Sequence, residues 1–287
     1  MKTIQSLKIS YPRFGKIKSI ASFASQFVRP RRIDVWLPDQ FDPLQPHAVL
    51  YMHDGQNLFN PRLGYNGQSW AVDMALQPLI YRRQIQRVIV VGIWNTELRY
   101  EEYLPAPAFD LLPDLLKDQL CEEHQRDLNP MSDSYLNFIV RELKPYIDTH
   151  YPTISGKSGT SIMGSSMGGL ISAYAIAAYP AVFGNAACLS THWPLSLNED
   201  DLDFSLPFIH WFGEHLPDPG SHRLYFDFGT ETIDAPYERH QKEMDNLMRI
   251  GGYTEGQNWL TVKDVGADHS EEAWARRLPV PLSFLLR

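Results

Sequence analysis

Residues 160–180, TSIMGSSMGGLISAYAIAAYP, constrain this chain more than any other stretch. A short apolar run enters, a Gly-Ser-Ser-Met-Gly turn interrupts it, and a segment of alanines and other small residues leaves it before Pro180. That order predicts a buried strand, a tight turn and a helix. Gly164-Ser165-Ser166-Met167-Gly168 satisfies G-x-S-x-G, in which the central serine sits on a sharp strand-to-helix turn and projects its hydroxyl from the sheet edge. Only Ser166 fits that place. Gly168 and Gly169 open the helix and let it approach the sheet closely. A Gly/Ser-rich turn selected only for tight packing would look the same in isolation, so the flanking chain must decide.

Elsewhere the pattern predicts alternating strands and helices. Residues 31–38 (RRIDVWLP) alternate apolar and polar side chains, as a strand exposed on one face should. Residues 47–55 (HAVLYMHDG) and 87–95 (RVIVVGIWN) are nearly continuously apolar, which suits strands covered on both faces in a parallel sheet. Between them Trp70, Val72, Met74, Leu76 and Leu79 form a roughly helical stripe, broken or kinked at Pro78. After Ser132, a predicted N-cap, residues Tyr135, Phe138, Ile139, Leu143, Tyr146 and Ile147 make one apolar helix face, with a bend at Pro145. Residues 183–190, 222–230 and 258–265 supply three further strands, and residues 237–252 a helix closed by Gly251 and Gly252. The reading is a doubly wound, mostly parallel α/β sheet with helices on both faces. One domain spans residues 1–287, with irregular insertions near 95–133 and 191–222 that form a cleft.

Composition narrows the function classes. With 34 acidic against 26 basic residues and a formal charge of −8, the chain lacks the basic surface that nucleic acid requires. Cys121 and Cys188 have no metal-site or disulfide spacing. No metal or cofactor is expected, since the sequence has no H-E-x-x-H, EF-hand or clustered Cys/His pattern. Residues 1–23 contain no uninterrupted apolar core followed by a cleavage pattern, and no stretch is long enough to span a membrane, so the expected location is cytoplasmic.

A serine in this context needs a base, because its hydroxyl is a poor nucleophile at neutral pH. Where such an elbow is catalytic, chain order is serine, acid, histidine. His269, after the last predicted strand, fits; its competing readings are a helix N-terminal or surface histidine. His192, His210, His215 and His222 precede the strand that should deliver the acid, and His240 lies on a helix face. The acid should follow residues 223–230, where Glu231 and Asp234 are available. Glu231 is preferred as nearer the strand end, with Asp234 read as the alternative or as an N-cap. Asp227 lies within the strand and Asp268 is tied to the backbone of the histidine. The Met167 amide at the helix N-terminus would face an oxyanion formed on an acyl group.

Taken together, YMHDGQNLFN, GSSMGG, YFDFGTETID and GADHSEEAW resemble, in matching order from Arg31 to the C-terminus, an esterase family of α/β-hydrolases. That family includes S-formylglutathione hydrolases, feruloyl and acetylxylan esterases, siderophore esterases and mycolyltransferases. The resemblance implies the α/β-hydrolase fold, a Ser166 nucleophile, a His269 base and a second oxyanion donor at the Gln56 amide. It departs at the acid, where the common form has Asp three residues after the glycine and this chain has Thr232. The implied activity is carboxylic ester hydrolysis through an acyl-enzyme, on a small-molecule ester with an aryl or sugar group. The alternatives are acyl transfer at the same site and a catalytically silent binding module. Trp94, Arg99, Tyr103, Trp193 and Trp211 are expected near the cleft; packing of loops onto the body is the competing reading for each. The oligomeric state is left open.

Overall fold

The computed structural model describes residues 11–196 and 201–287. The first ten residues of the N-terminal segment and residues 197–200 of the second insertion lie outside it. Eight strands form one sheet: β1 Lys16–Phe23, β2 Arg31–Leu37, β3 Ala48–Met52, β4 Val88–Ile93, β5 Thr160–Ser165, β6 Asn185–Leu189, β7 Arg223–Phe228 and β8 Trp259–Lys263. Their spatial order is β1-β2-β4-β3-β5-β6-β7-β8. β2 pairs antiparallel with both β1 and β4, and every other pairing is parallel.

All residues of β3, β4, β5 and β6 are buried, which is why these strands read as continuous apolar runs. Side chains alternate between two cores, because successive Cβ atoms leave a strand on opposite faces. Val49, Tyr51 and Ile162 join one core, while Leu50, Met52 and Met163 join the other. The helices are α1 Val72–Tyr81, α2 Arg99–Tyr103, α3 Ala106–Asp110, α4 Asp114–Glu123, α5 Ser132–Phe138, α6 Lys144–His150, α7 Met167–Ala178, α8 Leu202–Glu214, α9 Tyr237–Ile250, α10 Glu271–Arg277 and α11 Pro279–Leu285. α5, α7, α8 and α9 contribute to the first core; α1, α10 and α11 contribute to the second. No helix among the described residues is long and apolar enough to cross a membrane.

Three local expectations change. β2 is not exposed on one face: only Arg32 is half-buried, and the other six residues are buried. Its polar members misled the alternation because they are satisfied internally, Arg31 by a two-pronged ion pair to Glu102 and Asp34 by the Trp94 Nε1–H and the Ser19 hydroxyl. Ser132 does not cap its helix; its Oγ accepts the Ala106 N–H at 2.9 Å. α1 continues to Tyr81, beyond Pro78. Before Pro145, residues Ile139–Leu143 form a π-helical turn between α5 and α6, a recognised way for a helix to absorb a local disruption.

Four segments emerge at the carboxyl ends of parallel strands: residues 53–57 after β3, Ser166 after β5, residues 229–234 after β7 and residues 264–269 after β8. Open α/β sheets place their ligands at this edge.

Candidate active site

Ser166 joins β5 directly to α7, with φ 57° and ψ −125°. A non-glycine residue in that region is strained and needs support from its surroundings. Support comes from both sides: the Ser166 N–H donates to Leu189 O at 2.9 Å, and its carbonyl accepts from Gly169, Leu170 and His192 amides. The turn is tight enough that a Cβ on Gly164 would meet the Gly168 carbonyl at 2.5 Å. Gly164 is thus required by close backbone approach to Gly168. Both serines line a cleft of about 320 Å³, but Ser165 is buried in β5 and Ser166 is the more exposed of the two.

His269 lines the same cleft. Its Nδ1 lies 2.5 Å from Asp234 Oδ1, and its backbone N–H donates to Thr232 Oγ1 at 3.0 Å. Of the two candidate acids, Asp234 rather than Glu231 meets the histidine. Beyond β7 the chain passes Glu231 in an extended, exposed conformation and then makes a 3-10 turn over Thr232–Asp234, which returns Asp234 to the strand end. There the Asp234 side chain is fully buried and its Oδ2 accepts the Gly229 N–H at 2.6 Å. It does not cap α9, whose N-cap is Pro236. Thr232, which replaces the family's usual acid, holds the histidine backbone instead.

Sequence reasoning missed the groups behind Asp234. Ser190, with φ 40° just past β6, donates its hydroxyl to Asp234 Oδ2 at 2.5 Å and accepts from Trp274 Nε1 at 3.0 Å and Arg277 Nη2 at 2.7 Å. A serine hydroxyl has one proton and two lone pairs, so the two incoming donors commit its proton to Asp234. The same Arg277 Nη2 also donates to Asp227 Oδ1 at 2.8 Å. Burial alone would raise the Asp234 carboxyl, but hydrogen bonding to and the charge of His269, with Ser190 and Gly229, hold it below its ordinary range. A buried ionised carboxylate against the imidazole fixes the tautomer and stabilises an imidazolium. The only sequence signal for Arg277 was its place on the helix that follows His269.

Opposite the elbow, residues Gly55–Asn57 form a 3-10 turn after Asp54, which has left-handed φ 54° and ψ 49°. Asp54 takes a bidentate ion pair from Arg99, with both N–O distances 2.8 Å, and a hydrogen bond from Asn95 Nδ2 at 2.6 Å. Those partners outweigh burial and keep its carboxyl below the usual range. Gln56 and Ser166 line the one cleft. No hydrogen bond engages the Gln56 or Met167 N–H among the described residues. An amide without a partner is free to receive a developing oxyanion.

Of the five residues expected near the cleft, Arg99 lines it. The others do not. Trp94 bonds Asp34 and borders a neighbouring groove, and Tyr103 is buried beneath the 53–57 loop with its hydroxyl accepting the Asp54 N–H. Trp193 is 1% exposed, donates to Gln241 and packs on Phe208, Phe212 and Phe226; Trp211 is half-buried on α8 against Phe208 and Tyr174. The insertions bury these large apolar rings against the body, which is the larger gain in water. In their place Tyr65, Trp274 and Glu271 line the cleft.

The chain belongs to the family described as "Putative esterase", whose sequence model matches residues 24–285. The protein YbbA of Bacillus subtilis is 24% identical over 263 residues, covering 89% of this chain and 92% of that one. Among solved structures, a ferulic acid esterase superposes with TM-score 0.64 at 18% identity, covering 96% of this chain and 99% of that one. The BES protein from Bacillus cereus gives 0.67 at 15% identity over all of both chains. The enterobactin esterase FES from Shigella flexneri gives 0.66 at 18% identity, over 98% of this chain and 60% of that one. The fold is therefore that of the α/β-hydrolases.

Proposed function

We propose that residues 1–287 act as one serine carboxylic ester hydrolase, with Ser166 as nucleophile, His269 as base and Asp234 as the acid that orients it. One observation carries the reading: the strained Ser166 elbow and His269, which Asp234 backs from the buried side, come from different strands and line one cleft. Ser166 Oγ attacks the acyl carbon as its proton passes to His269 Nε2, and the amides of Met167 and Gln56 receive the charge on the carbonyl oxygen. Collapse of the tetrahedral intermediate breaks the ester C–O bond; His269 protonates the departing alcohol and leaves the acyl group on Ser166. Water then repeats the sequence, giving its proton to His269, and the acid is released with Ser166 reprotonated.

The structural relatives whose names specify ferulic acid and enterobactin direct the first trials to aryl-bearing esters. The test is stopped-flow hydrolysis of p-nitrophenyl acetate and a feruloyl ester. Turnover with a burst of nitrophenol equal to the enzyme concentration is expected when deacylation is slow. Absence of hydrolysis for every ester tried, with folded protein, would contradict the proposal.

A further inference from the structure

Glu271, the first residue of α10, is a carboxylate the proposed reaction does not use, and it lines the cleft. It is only 6% exposed. Its Oε1 accepts from Asn57 Nδ2 at 3.0 Å, which ties the segment after Gln56 to the segment after His269. Asn57 is neutral, so it supplies no charge. The cationic or ionisable neighbours are committed elsewhere: Arg99 faces Asp54, and His269 faces Asp234. No salt bridge reaches Glu271 among the described residues. Burial lifts its carboxyl above the ordinary value against the pull of its own backbone N–H; Asp54 adds to the rise, and His269 and Arg99 oppose it.

We propose that Glu271 gives the cleft a negative charge without a cationic partner, so that the site favours esters carrying an ammonium or hydroxyl group and rejects esters carrying a carboxylate. The inference rests on the ester-hydrolase reading and adds a substrate class to it. The Arg99 and Asp54 charges cancel in their bidentate pair, whereas no lysine or arginine ion pair reaches Glu271 among the described residues. A substrate carboxylate entering a partly water-excluded cleft meets repulsion that bulk water would have screened. A hydroxyl or ammonium finds an acceptor held in place by Asn57. The same charge would hasten departure of the carboxylate product.

The experiment compares three p-nitrophenyl esters of equal chain length at pH 8, where the substrate's own carboxylate is ionised and its amine protonated: hexanoate, 6-aminohexanoate and mono-adipate, each corrected for uncatalysed hydrolysis. Wild type should show kcat/KM for the adipate ester about tenfold below the hexanoate, the size expected for unit charges several Å apart at an effective dielectric near ~20–40. In Glu271→Gln that ratio should move toward one, and the preference for the ammonium ester should fall. Wild type that hydrolyses the adipate ester as readily as the hexanoate overturns the inference without any variant. So does an adipate-to-hexanoate ratio that Glu271→Gln leaves in place. Hydrolysis of none of the three would overturn the ester-hydrolase reading, and this inference with it.

Discussion

His269 Nδ1 lies 2.5 Å from Asp234 Oδ1, whereas Glu231, only three residues earlier in the chain, is exposed. Asp234→Asn should therefore lower kcat by as much as ~10⁴ while the protein stays folded, because the amide cannot hold the same imidazole tautomer. Glu231→Gln should turn over like wild type. Rate collapse in the Glu231 variant with normal turnover in the Asp234 variant would move the acid back to Glu231.

Ser190 touches the proposed triad through Asp234. Replacing it with alanine removes one donor to an ionised carboxylate, an interaction of about 1.5–3 kcal/mol. The expected kinetic result is a kcat at least about tenfold lower with KM nearly unchanged. A fall in stability without the kcat-to-KM split would leave Ser190 a packing residue.

Arg277 should matter first to stability. Its side chain is 6% exposed and Asp227, which it pairs at 2.8 Å, is fully buried. Arg277→Met strands that carboxylate, and breaking a buried pair from one side costs about 3–5 kcal/mol. Urea unfolding reads this directly. A change below about 1 kcal/mol would mean that Asp227 takes up a proton or another partner at little cost.

Two buried histidines set the acid limit of the fold. Desolvation pushes His53 down to about 3, and desolvation reinforced by His269 and Arg99 does the same to His192. Both remain neutral in the folded chain at a pH where the unfolded chain binds protons near pH 6.5. Their contribution is thus fully present above that pH and is lost as pH falls toward 3. Between pH 7 and pH 5 the loss should be roughly 2 kcal/mol for each histidine. Denaturant titrations at the two pH values test it; His53→Gln should lose roughly 2 kcal/mol less than wild type, and equal losses in the two proteins would contradict the assignment to His53.

The strands with continuous apolar runs and the Gly-Ser-Ser-Met-Gly turn were legible because burial on both faces and a forced elbow each leave a local pattern. β2 was misjudged, since Arg31 and Asp34 look solvent-facing in sequence and become internal only through partners 71 and 60 residues away. Asp234 was second choice for a related reason. Distance from the strand end is no guide when a 3-10 turn folds the chain back, and nothing near Thr232 announces that turn. Ser190 and Arg277 carry no motif at all, and Glu271 lies in GADHSEEAW with nothing to mark a role; only the sheet order brings the ends of β6, β7 and β8 together. The aromatic residues of the insertions are expected at the cleft because their segments follow strand ends, and packing decides otherwise.

The central claim is that Ser166, and not its neighbour, is the nucleophile. Reaction with a fluorophosphonate followed by intact-protein and peptide mass spectrometry tests it most directly. The account predicts one adduct, on Ser166, present in Ser165→Ala and absent in Ser166→Ala, with kcat falling by up to ~10⁶ in the latter. An adduct mapped to another residue, or ester hydrolysis that survives in Ser166→Ala, would contradict it.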